Sequence, residues 1–106
     1  MAATPEGKVK ARVKAMLGAF APDVYYTMPL TGGFGDSGTP DILACCWGHF
    51  LAVECKAGDN TTTALQDREI ARIRAAGGEA LVVNEHNLEN LAVLLASWKG
   101  LYGTAD

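Results

Sequence analysis

Apolar positions along the chain switch between helical and strand-like periods, and the switches divide it into seven elements. Val9, Val13, Met16, Leu17 and Phe20 recur at helical spacing behind Thr4 and Pro5, which read as an N-cap and a first helical residue. The pattern predicts an amphipathic helix ended by Ala21-Pro22-Asp23. Val24 to Met28 is rich in β-formers and predicts a strand that stops near Pro29, whereas Thr31 to Pro40 is saturated with turn residues and predicts a loop. Asp41 to Trp47 and His49 to Lys56 are two apolar runs separated by Gly48, the spacing of an antiparallel hairpin. Alternation along the second run puts His49, Leu51, Val53 and Cys55 on one face and Phe50, Ala52, Glu54 and Lys56 on the other.

A second helix is predicted over Ala64 to Ala76, capped by Thr63 and stopped by Gly77-Gly78, with Leu65, Ile70, Ile73 and Ala76 facing inward. The same helical wheel turns Gln66 and Glu69 toward the sheet and Asp67, Ala71 and Arg74 away from it, and inward polar groups need partners. Ala80 to Val83 reads as a short interior strand. Asn87 then caps a last helix whose apolar face is Leu88, Leu91, Leu95 and Trp98, with Gly100 marking its end. The order α-β-β-β-α-β-α, with a helical crossover before the fourth strand, predicts the α/β class and a mixed sheet.

Composition narrows this without redirecting it. The length of 106 residues and 49% hydrophobic content suit one domain over 1–106 with one core. No apolar run approaches the roughly 20 residues that span a bilayer, and no signal-peptide pattern opens the chain, so the expected location is cytoplasmic, without membrane contact. Cys45, Cys46 and Cys55 form no CxxC pair, and His49 and His86 stand too far apart for zinc spacing, which predicts buried free thiols. The net charge of -3 argues against binding nucleic acid by bulk electrostatics alone. The basic residues are unevenly spread, however: Lys8, Lys10, Arg12 and Lys14 stand against only Glu6 in the first 20 residues. That makes the first helix the candidate phosphate contact, with Lys8 and Arg12 on one flank of the apolar stripe, Lys10 and Lys14 on the other, and all four solvated.

Candidate chemistry lies in Pro40-Asp41, twelve intervening residues, then Glu54-Cys55-Lys56. Hard divalent cations such as Mg²⁺ favour carboxylate, carbonyl and water oxygens, and one or two carboxylates suffice because the ion keeps several waters. Asp41 and Glu54 on neighbouring strands supply the carboxylates and the Cys55 main chain a carbonyl. Lys56, on the Glu54 face, puts an ammonium beside the attacking water and the developing phosphorane charge. On their own, Glu54 and Lys56 also fit an ion pair on an exposed strand, and Asp41 a turn residue after proline. Their hairpin placement, the Gly-rich loop before them and the inward Gln66 favour the metal site. His49, opposite Glu54, and His86, in a turn, read as structural or solvated, and Trp47, Tyr25 and Tyr26 as core aromatics.

Gly38-Thr39-Pro40-Asp41-Ile42-Leu43, then Val53-Glu54-Cys55-Lys56, then Gln66, resembles the PD-(D/E)xK nuclease superfamily, and within it the stand-alone VRR-NUC domains of phage and bacterial genomes. The resemblance implies a restriction-endonuclease-like αβββαβ core, a mixed sheet flanked by helices, to which this chain adds a C-terminal helix. It further implies that Asp41 and Glu54 ligate Mg²⁺, with Mn²⁺ as substitute, that Cys55 adds its carbonyl, that Lys56 serves catalysis and that Gln66 sits beside the site. Glu6 is similar in placement to a first-helix acid that many members use through water on the metal, although an acid so near a helix start also complements the macrodipole. The long Asp59-Asn60-Thr61-Thr62-Thr63 stretch departs from the commonest pattern. The implied substrate is duplex or branched DNA such as a Holliday junction, and the implied assembly a homodimer.

Two functions from different classes therefore stand. One is a metal-dependent endodeoxyribonuclease; the other is a non-catalytic nucleic-acid-binding or interaction module that keeps the nuclease fold. The complete Asp41, Glu54 and Lys56 set favours the first. A third, the nuclease half of a restriction system, lacks room for a separate sequence-recognition segment.

Overall fold

The computed structural model describes residues 3–30 and 38–103. Most of the turn-rich loop expected over 31–40 therefore lies outside the described residues. The elements follow in the order α1 (Pro5–Gly18), β1 (Val24–Thr27), β2 (Ile42–Cys46), β3 (His49–Cys55), α2 (Ala64–Ala75), β4 (Glu79–Val83) and α3 (Leu88–Tyr102). The strands make one sheet in the order β1-β2-β3-β4, antiparallel between β1, β2 and β3 and parallel between β3 and β4. The chain is thus α/β, with a four-stranded mixed sheet and three helices, as the hydrophobic periods require.

Two unequal layers cover the sheet. Val9, Val13 and Leu17 of α1 and Leu88, Leu91 and Leu95 of α3 bury one face against Ile42, Ala44, Cys46, Leu51, Val53, Cys55 and Val83. On the other face Ile70 of α2, with Ile73, packs on Ala52, Ala80 and Leu43. The alternation read along β3 holds, because Leu51, Val53 and Cys55 join the first layer and Ala52 the second.

The β2–β3 hairpin closes through Trp47 and Gly48, whose φ values of 49° and 85° are both positive, between the paired Cys46 and His49. Two left-handed residues in a two-residue loop give the type I′ twist that keeps strands paired. Trp47 is held in this conformation for a non-glycine residue by its N–H, which donates to the Asp23 carbonyl, and by its ring, edge-on to Phe20 at 5.4 Å.

Several expectations need correction. β4 is an edge strand rather than an interior one; helices on both its faces, not strands on both its sides, account for its apolar run. Leu65 is 44% exposed and Ala76 is exposed, because the apolar contact of α2 with the sheet runs along Ile70 and Ile73. The side chain of Asn87 does not cap α3: its Oδ1 accepts from Asn84 N–H and its amide donates to the Val82 carbonyl, tying the turn back to β4. α3 runs through Gly100 to Tyr102, and α1 ends earlier than expected, at Gly18. Cys45 and Tyr25 are exposed, since α2 covers β2 at Leu43 but not at the rung of Tyr25, Cys45 and Phe50; Cys46 and Cys55 are buried free thiols. No helix among the described residues is long and apolar enough to cross a membrane.

Candidate active site

Asp41 stands one residue before β2, and the last paired rung of the β2–β3 ladder is Ile42 with Val53. The next rung would set Asp41 opposite Glu54, and there side chains take over from the backbone ladder. The Asp41 N–H donates to Glu54 Oε1 at 3.2 Å, and the Cys55 N–H donates to Asp41 Oδ2 at 2.9 Å. Each carboxylate thus accepts a main-chain N–H from the opposite strand, which holds the pair together at the end of the sheet.

The remaining oxygens are also occupied. Glu54 Oε2 accepts from Gln66 Nε2 at 2.9 Å and faces Lys56 Nζ at 3.4 Å, while Asp41 Oδ1 faces Lys10 Nζ at 3.6 Å. Glu54 and Lys56 therefore do share a face, and the inward Gln66 finds the partner it needed. Its orientation is fixed locally: Gln66 is the third residue of α2, its Oε1 accepts the Thr63 N–H, and its own N–H donates to the Thr63 hydroxyl. This capping box uses the amide oxygen, so the amide nitrogen is left to donate to Glu54.

Gly38 sets how closely the first turn of α2 approaches. It has φ of +98°, and a Cβ there would fall 2.5 Å from the Leu65 carbonyl carbon and oxygen and 2.8 Å from the Gln66 nitrogen. Gly38→Ala is expected to cost about 2 to 3 kcal/mol through left-handed strain and this clash, read as a lowered midpoint of urea unfolding. An unchanged midpoint would mean that the contact does not position the helix.

Glu54 is 4% exposed and is the buried charged residue among those described. Burial, and next the negative charge of Asp41, raise its pKa to about 7 against the lowering pull of Lys56. Two carboxylates held together with one of them buried make a site that a divalent cation relieves. The Cys55 main chain adds to it, since a strand residue directs its N–H and C=O to the same edge and this N–H already points at Asp41. Among the described residues no group of three or more His, Cys, Asp and Glu is placed to hold a metal ion, so the side chains that this point could offer one are the two carboxylates. That donor set suits a hard ion that keeps several waters, not tetrahedral zinc. The Cys55 thiol packs into the layer under α1 and α3, where burial, then Asp41 and Glu54, push it up to about 12.

Of the residues expected at the site, the structure brings together Asp41, Glu54, Cys55, Lys56 and Gln66. Glu6, in the first turn of α1, lies near enough for its charge to help raise the Cys55 thiol. His49 instead stacks on Tyr102, with 3.7 Å between ring centroids, and His86 pairs with Glu85. Glu69 takes its partners from Arg68 and Arg72 on its own helix.

Sequence reasoning makes Lys10 a candidate phosphate contact but misses its pairing with Asp41. Rather than being one of four solvated charges, it reaches Asp41 with only 27% of its side chain exposed, while Lys8 and Arg12 line a groove with Val9, Gly58, Glu85 and Leu88. A signal was present: Lys10 lies one helical turn beyond Glu6, and residues four apart share a helix face. No family model, curated protein or solved structure matches the chain.

Proposed function

We propose that the chain is a divalent-cation-dependent endodeoxyribonuclease of the PD-(D/E)xK kind, most like a VRR-NUC domain, on a restriction-endonuclease-like core. The observation that carries this reading is the juxtaposition of Asp41 and Glu54 through reciprocal main-chain hydrogen bonds, with the Lys56 ammonium 3.4 Å from Glu54. A bound Mg²⁺ or Mn²⁺ would supply Lewis acidity, lowering the pKa of water and neutralising the scissile phosphate. Asp41, Glu54 and the Cys55 carbonyl would hold it. Gln66 keeps Glu54 aimed through its amide. Lys56 orients the attacking water and offsets the charge gathering on the phosphate oxygens. The water oxygen forms the new P–O bond as its proton passes to solvent, and the bond to the leaving deoxyribose oxygen breaks as that oxygen takes up a proton from solvent.

Branched DNA is the proposed substrate and a homodimer the proposed assembly, because symmetric cutting of two junction strands needs two sites related by a two-fold axis. Incubating the protein with four-way junction, flap and linear duplex, with and without Mg²⁺, tests the activity: cation-dependent cutting of the junction is expected. DNA binding that is indifferent to Mg²⁺, with no cutting of any substrate, would instead identify the interaction module. Sedimentation as a strict monomer at micromolar concentration, with and without DNA, would remove the dimer.

A further inference from the structure

Two ammonium groups face the two carboxylates, and they are held differently. Lys56 belongs to the segment that carries Glu54, and 12% of its side chain is exposed; Lys10 comes from α1 and is more open, at 27%. The Asp41 oxygens also differ. Oδ2 is tied to the Cys55 N–H, which leaves Oδ1 for a cation, and that is the oxygen Lys10 faces at 3.6 Å. This separation is too long for a hydrogen bond and the pair is partly solvated, so the contact is exchangeable.

Resting on the reading of this site as a divalent-cation nuclease centre, we propose that Lys10 is an exchangeable counter-ion, which neutralises Asp41 in the free protein and turns to a DNA backbone phosphate when a divalent cation displaces it. With no cation bound and Glu54 ionised, two carboxylates meet two ammoniums, and Lys10 offsets the charge of Asp41. A divalent cation at Asp41 Oδ1 repels an ammonium beside the same oxygen. The four-carbon stem of lysine lets the ammonium swing away while its Cα stays on the helix. The displaced charge then adds to the attraction for DNA, so cation and DNA binding strengthen each other.

Mn²⁺ titration by calorimetry, together with fluorescence anisotropy of a labelled four-way junction in EDTA and in Ca²⁺, tests this on wild type, Lys10→Met and, as a control for total charge, Lys99→Met. Lys10→Met is expected to bind Mn²⁺ about three- to fivefold more tightly than wild type, Lys99→Met to match wild type, and the Ca²⁺ enhancement of junction affinity to fall about fivefold in Lys10→Met. Unchanged or weaker Mn²⁺ binding by Lys10→Met, or full retention of the Ca²⁺ enhancement, overturns the role of Lys10 alone. A wild-type protein that takes up no Mn²⁺ overturns the reading of the site and this proposal with it.

Discussion

Replacing Lys56 with Met is expected to slow DNA hydrolysis by roughly 10² to 10³, the usual effect of removing one group that stabilises developing charge, while the fold and cation binding persist. The substitution takes away the ammonium at Glu54 Oε2 but leaves that oxygen the Gln66 amide, and leaves Oε1 the Asp41 N–H. Neither strand pairing nor the Asp41 to Cys55 contact involves the Lys56 side chain. The loss should fall on the single-turnover rate, with Mn²⁺ affinity by calorimetry within a few-fold of wild type. A rate within tenfold of wild type would remove Lys56 from the chemistry.

The second large effect concerns stability and pH. In the unfolded chain Glu54 titrates at the ordinary value of 4.5, whereas in the fold its pKa is raised to about 7. The folded state therefore holds this proton more tightly. The stability that this gives is fully present below pH 4.5 and is lost as pH rises through about 7. For the cation-free protein the loss amounts to about 3 kcal/mol, or roughly 13 °C in melting temperature for a chain of this size. Glu54→Gln cannot titrate, so its stability should lack this fall, and the difference between the two profiles isolates Glu54 because other groups are common to both. Saturating Mg²⁺ should restore wild-type stability above pH 7, where the carboxylate is free to bind it, and should do little for Glu54→Gln. Parallel profiles for the two proteins between pH 5 and 8 would show that Glu54 is not the buried acid described.

Much of this was legible in the sequence because the fold and the site obey short-range rules. Strict alternation along 49–56 put Glu54 and Lys56 on one face, and the wheel of α2 turned Gln66 toward them; both follow from backbone geometry alone. The features that escaped depend on contacts between distant elements. Leu65 was expected inside because periodicity cannot tell how much of a face its neighbour covers, and α2 spans only part of the sheet. Cys45 and Tyr25 are exposed for the same reason. Asn87 has a capping residue's identity, but strand β4 competes for its side chain and wins. Lys10 was read as solvated because helical phase alone gives no sign that Asp41 lies within reach at the end of the sheet. The close packing of Gly38 on Leu65 belongs to the same class, since a glycine in a turn-rich stretch gives no hint of a helix pressed against it.

The most direct test locates the cation itself. Crystals grown with Mn²⁺ and measured near the manganese absorption edge should show one anomalous peak within about 2.1 Å of a carboxylate oxygen of both Asp41 and Glu54, with the Cys55 carbonyl completing the protein ligands. A peak held by only one of the two carboxylates, or strong peaks elsewhere with none between Asp41 and Glu54, would contradict the account.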